Sequence, residues 1–155
     1  DWEDHMSTLF PEVRLKKFLE MRGADGGPWR RICALPALWV GLLYCDEALD
    51  AAWDLVKDWT IDEQQELRDN VPTLALKTPF RNVTVREIAR EVLAISKTGL
   101  KRRARLSSMA LDETHFLNAL HETVASGVTP AEEMLEKYEN EWNRSVEPSF
   151  RDYAY

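Results

Sequence analysis

The stretch from Glu12 to Arg22 alternates between apolar and polar residues. Val13, Leu15, Leu19 and Met21 fall on one side, with Lys17 alone out of place. Arg14, Lys16, Phe18, Glu20 and Arg22 fall on the other. A period of two over that length reads as a half-buried β-strand. No second convincing strand follows; Thr73 to Lys77 is a weak candidate. A lone strand leaves backbone donors and acceptors without partners. The reading therefore expects partner strands in polypeptide beyond this chain, or in a second copy as a homodimer. The chain begins at Asp1 rather than Met and opens with no signal-like or transit-like leader, which also reads as a piece of a longer protein.

Nearly everything after the strand reads as helix, so the expected class is mainly α: a helical bundle with one N-terminal strand. Asp1 to Leu9 reads as a short helix closed by Pro11. Arg22 to Pro28 is a glycine-rich turn, and Pro28 suits a first helical position. Trp29 to Tyr44 is apolar nearly all round, as in a helix buried on most sides, with Pro36 expected to kink or restart it. Asp46 is expected to cap a helix to about Asp58, with Leu49, Ala52, Trp53 and Val56 as its apolar stripe. Thr60 with Glu63, Thr84 with Glu87 and Thr129 with Glu132 each read as a capping box. These predict helices over 60–70, 84–106 and 129–142, with a further one over 112–126. Gly99 is expected to interrupt the 84–106 helix, and Gly127 to close the 112–126 helix. One unit results: strand and turn over 1–28, helices over 29–145 and a tail over 146–155.

The balance of 20 basic against 27 acidic residues gives a net charge of −7. That argues against a general nucleic-acid or anionic-membrane binder, whose affinity comes mainly from basic residues meeting phosphates, and leaves room for a small basic pocket. The longest apolar run, Ile32 to Tyr44, falls short of the ~20 residues of a bilayer helix. Two cysteines make no disulfide framework, which points to a reducing, cytoplasmic setting.

Three features have the residue types that chemistry uses. The polar side of the strand aligns two arginines, a lysine and a glutamate, which reads either as a solvated sheet face or as an anion-binding one. Arginine presents a planar fork that matches carboxylate or phosphate. Arg30 and Arg31 sit in a first helical turn, where the macrodipole disfavours cations, so they require an anion or a carboxylate partner. Lys97, Lys101, Arg102, Arg103 and Arg105 cluster late in a helix and read as a solvated end. The glycines at 23, 26 and 27 match no dinucleotide or phosphate-loop motif. His115 and His121 lie six apart, about 240° around a helix, and do not converge. No metal site is expected. Cys33 and Cys45 are too far apart on one helix to bridge, and Cys33 reads as a buried thiol.

The segment Phe10-Pro-Glu-Val-Arg-Leu-Lys-Lys-Phe-Leu-Glu-Met-Arg-Gly-Ala-Asp-Gly-Gly-Pro-Trp-Arg-Arg-Ile-Cys-Ala-Leu-Pro-Ala-Leu-Trp-Val-Gly-Leu-Leu-Tyr44 resembles the plant and proteobacterial type of glutamate–cysteine ligase. The likeness continues through Leu76-Lys-Thr-Pro-Phe80, Thr129-Pro-Ala-Glu132, Tyr138, Glu141-Trp142 and Tyr153-Ala-Tyr155. It implies the C-terminal third of an enzyme whose α+β fold is glutamine-synthetase-like, the strand joining an antiparallel sheet. It implies glutamate, cysteine and ATP as substrates and Mg²⁺ as cofactor, bound largely by the rest of the protein chain. By the same resemblance Arg22 is the first candidate catalytic and substrate-binding residue. Glu20 would orient Arg22 or approach a metal, Arg14 would stand behind them, and Trp29 would wall the pocket. In plant members a cysteine at the place of Cys33 pairs with one far upstream. The competing reading is a non-catalytic helical module that joins a partner through the strand edge.

Overall fold

The structure, a computed structural model, describes Asp1, Trp2, His5 and residues 11–154. The helix expected over Asp1 to Leu9 lies, apart from those three residues, outside the described residues.

The long strand is in fact a hairpin. β1 (Val13–Leu15) pairs antiparallel with β2 (Leu19–Met21) in the register Val13↔Met21, Arg14↔Glu20, Leu15↔Leu19. The reversal is centred on Lys17, the one residue that broke the alternation. Every pair sums to the same even number, so folding back preserves which residues share a side. The Lys16 N–H donates to Phe18 O at 2.9 Å inside the turn. The segment thus satisfies much of its own backbone, and the premise of an interaction module built on a lone strand edge falls away. Its apolar side is not a core: Val13, Leu15 and Leu19 are exposed, whereas Arg14 and Glu20 are half-buried because each covers the other.

The centre of the molecule is a crossing of two helices. α1 (Trp29–Leu43) packs against the long helix over Val85–Arg103, and a 3₁₀ turn (Glu113–Leu117) lies across both. Ala37, Leu93, Leu100, Leu117 and Val124 form the core. α1 runs unbroken through Pro36. Pro36 is exposed, so the Ile32 carbonyl that loses its partner lies toward solvent rather than in the core.

Gly99 does not interrupt its helix either. It is buried where the two backbones meet: a Cβ there would lie 1.9 Å from the Gly41 carbonyl oxygen and 3.1 Å from Ala48 Cβ. Ser96, fully buried beside it, donates its hydroxyl to Leu38 O at 3.0 Å. This close approach also decides how α2 (Asp46–Val56) sits. The space beside Gly99 takes only Ala48, so the expected stripe turns outward, with Leu49, Trp53 and Val56 all exposed. The N-cap of α2 is Cys45, and Asp46 is its first helical residue.

The three threonines stand at helix N-caps as the spacing predicts. α3 (Ile61–Leu74), α4 (Val85–Arg103) and α6 (Pro130–Asn140) each begin with a glutamate reaching back to the threonine N–H, at 2.8, 2.7 and 2.8 Å. Thr73 to Lys77, the weak strand candidate, is instead the end of α3 and a 3₁₀ turn over Ala75–Lys77. A two-residue hairpin of β3 (Pro79–Phe80) and β4 (Val83–Thr84) follows, too short to leave a periodic signal.

This segment staples two caps. Lys77 Nζ meets Glu132 at 2.8 Å, and Arg81 Nε meets Glu63 at 2.7 Å while its Nη2 donates to Asp58 O at 2.6 Å. The Arg81 guanidinium and the Thr60 N–H hold the Glu63 carboxyl at about 2; Lys77 and the Thr129 N–H do the same for Glu132. Each would titrate near 4.5 in the unfolded chain. The folded protein therefore takes up these protons later than the unfolded one. The stabilisation is complete above pH ~4.5 and drains away as the pH falls toward 2. We expect the melting temperature of wild type to fall across that window. Glu63→Gln with Glu132→Gln should melt lower at pH 7 and show a shallower slope. An unchanged slope would remove both caps from the acid response.

α5 (Asn118–Ser126) ends at Gly127, φ +75°, as expected. Arg86 of α4 donates to Val124 O at 2.7 Å and to Ala125 O, satisfying carbonyls that the helix end leaves free. The tail, expected without period, contains a short helix α7 (Ser149–Asp152). It folds back on buried Trp142, whose Nε1 donates to Asp152 Oδ2 at 3.2 Å and whose ring meets Tyr153 edge-on.

Candidate functional site

The hairpin register puts Arg14 directly opposite Glu20, and Arg14 Nε meets Glu20 Oε2 at 2.7 Å. The hydrogen bond from Arg14 holds the Glu20 carboxyl below its usual range, and the fields of Arg14, Lys16 and Arg22 act in the same direction. The Glu20 carboxylate thus lies among three cations on the same side of the hairpin. Glu20 pairs with Arg14, not with Arg22 as its i and i+2 neighbour. The sum of 14 and 20 about a turn at Lys17 was the signal for this, legible only once the hairpin is known.

Arg22 follows β2 directly. Its N–H donates to Glu12 O at 2.8 Å, which closes the hairpin mouth and fixes where the side chain leaves the backbone. The residue is half-buried, with its Nη1 out of solvent. Trp29 opens α1 and is 76% exposed, so it is not a core anchor in this structure. The arrangement brings Arg14, Glu20 and Arg22 into one electrostatic cluster and leaves Trp29 at the far side of the glycine turn. Chemically it is a cationic patch with forked donors, fit to hold a carboxylate or a phosphate.

A divalent metal does not fit here. Glu20 is committed to Arg14 and Glu12 to Arg68, and among the described residues no group of three or more metal-ligating side chains converges. The remaining candidates resolve into structural pairs. Arg30 meets Glu122 at 2.7 Å and Arg31 lies 3.9 Å from Glu133, which supplies the carboxylate partners a first-turn cation needs. In the late basic cluster Arg102 meets Glu47 at 2.5 Å and Arg103 meets Glu113 at 3.1 Å. Cys33 and Cys45 are both free and half-buried. Cys33 lines a cavity of about 230 Å³ with Ala37, Val40 and Phe116. The linking roles of Lys77 and Arg81 left no trace in the sequence, because their partners lie 55 and 18 residues away.

The profile of Glutamate-cysteine ligase family 2 (GCS2) matches residues 1–152. The chain is 56% identical over all 155 residues to "Glutamate--cysteine ligase, chloroplastic" of Arabidopsis thaliana, covering 28% of that protein. It is 54% identical over its whole length to "Glutamate--cysteine ligase A, chloroplastic" of Oryza sativa subsp. indica, covering 30%. The corresponding figures for the "Glutamate--cysteine ligase, chloroplastic" of Nicotiana tabacum are 53% and 28%. The chain therefore spans less than a third of the length of these curated relatives. Their names overturn the cytoplasmic placement. A low cysteine count speaks to redox environment and has no bearing on which compartment a protein is sent to. With a profile match over nearly every residue, the chain belongs to glutamate-cysteine ligase family 2.

Proposed function

We propose that this chain is part of a plastid glutamate–cysteine ligase and supplies one cationic wall of its active site. Identity of more than half along all 155 residues with proteins named for that reaction is the observation that carries the reading. In the proposed reaction the γ-carboxylate of glutamate attacks the terminal phosphorus of ATP, and ADP leaves. The cysteine amine then attacks the carbonyl of the resulting acyl phosphate, the C–O bond to phosphate breaks, and the amine loses a proton. The γ-carboxylate, the transferring phosphoryl group and the acyl phosphate are all anionic. Fixed forked donors around them stabilise charge that develops in the transition state without reorganising at that moment.

Arg22 is assigned the direct contact to the glutamate carboxylate or the transferring phosphoryl group. Glu20 and Arg14 act as a braced pair that keeps the hairpin side cationic and aligned, and Trp29 bounds the pocket across the glycine turn. Magnesium finds no ligand set among the described residues, so its binding falls to the remaining polypeptide.

The test is an assay for γ-glutamylcysteine with and without ATP and cysteine. The longer protein should form it only with both, and the isolated 155-residue chain should form none. No ATP-dependent product from the longer protein would overturn the reading, and product from this chain alone would overturn the shared-site arrangement.

A further inference from the structure

We propose that the groove between α3 and α4 is the seat of the ligase polypeptide that precedes the hairpin in the longer protein. The groove has a volume of about 550 Å³. Trp59, Leu67 and Val71 form one wall, and Val85 and Ile88 the other. None of the fourteen residues of α3 is buried. Ile61, Val71 and Leu74 are all exposed, Ile61 by 84%. A helix of this length gains little from propensity alone and normally depends on burying an apolar face. At its N-terminal end α3 is fixed by the Thr60 cap and by Arg81, and along its length an open apolar trough remains. A contiguous apolar surface of this kind marks a contact site.

The course of the chain indicates the occupant. Glu12, the residue that leads into β1, itself lines the groove and meets Arg68 of α3 at 3.1 Å. The chain therefore enters the hairpin at the mouth of the trough. The rim is made of Gln64, Gln65 and the already paired Arg68 and Glu12, so it offers no spare charge and suits an apolar segment with a neutral edge. Relatives more than three times as long provide such polypeptide. The inference rests on the reading of this chain as part of a longer ligase.

Single cysteines placed in the longer protein test it. Val71→Cys lies in the trough, Gln65→Cys on its rim and Glu66→Cys on the outer side of α3. Maleimide labelling is quantified peptide by peptide by mass spectrometry, so Cys33 and Cys45 stay in place. The cysteine at 71 should label at least tenfold more slowly than the one at 66, and equally so at every protein concentration. If Val71→Cys does not fold, the cysteine at 65 takes its place with the same expected ratio. A ratio below tenfold means an open trough and overturns the proposal. Protection that vanishes on dilution means a second copy fills it and overturns it as well. γ-Glutamylcysteine formation by the same preparations separates the two claims: an active protein with an open trough sinks the docking inference and leaves the ligase reading intact.

Discussion

Gly99→Ala is expected to cost about 3 kcal/mol or more, and the sign is the informative part. Helix propensity alone favours alanine over glycine in a helix interior by roughly 1 kcal/mol. Steric crowding opposes it. The new Cβ would lie 1.9 Å from the Gly41 carbonyl oxygen, and backbone has no rotamer with which to move aside. α1 and α4 would have to separate, exposing Leu100 and Ala37 and breaking the bond from Ser96 to Leu38 O. Overpacking usually costs about 1–3 kcal/mol, and a clash with backbone belongs at or beyond the top of that range. That is a large part of the roughly 5–15 kcal/mol that holds a domain together. Gly41→Ala meets Ser96 O at 2.3 Å and should behave alike. Gly23→Ala, with nothing within 4 Å of its Cβ, is the control and should stay within about 0.5 kcal/mol of wild type. Urea unfolding reads all three. A Gly99→Ala protein within 1 kcal/mol of wild type would mean that the crossing is looser than described.

The same glycine shows which parts of the fold can be read from sequence and which cannot. The capping boxes at Thr60, Thr84 and Thr129 were legible because cause and effect lie three residues apart. The αL close at Gly127 was legible for the same reason. Gly99 was misread as a break because its reason for being glycine is Gly41, 58 residues away, and no local window holds both. The α2 stripe was misread through the same crossing, which admits Ala48 and turns Trp53 outward. Pairing between nearby residues also escaped where the chain reversed. The alternation from Val13 to Met21 is compatible with a strand or with a hairpin turning at an odd residue, and only Lys17 distinguished them. For the site, residue types and their shared side were readable from spacing, and the roles of Arg14, Glu20, Arg22 and Trp29 came from resemblance. The partner of Glu20 was not readable, since it depends on the turn.

Arg22→Ala in the longer protein is expected to lower kcat/KM by roughly thirtyfold to several thousandfold. This corresponds to the ~2–5 kcal/mol lost when one member of a desolvated charge pair is removed. Three observations set the expectation. The Arg22 N–H is tied to Glu12 O, so the side chain leaves from a fixed point. Its Nη1 is out of solvent, where an electrostatic contact is less screened than at a free surface. It lies in one electrostatic cluster with Arg14 and Lys16, whose fields act on Glu20 in the same direction, so the local potential favours a bound anion. Arg22→Lys keeps the charge and loses the planar fork, and should recover only part of the loss. Arg14→Ala should cost less than Arg22→Ala, because Lys16 and Arg22 still face Glu20. Unfolding midpoints near wild type for the Arg22 variants would separate a contact with substrate from damage to the hairpin. A loss in kcat with KM little changed would assign Arg22 to the transition state, and a rise in KM alone would assign it to ground-state binding of glutamate. A change in kcat/KM below threefold would take Arg22 out of the site altogether.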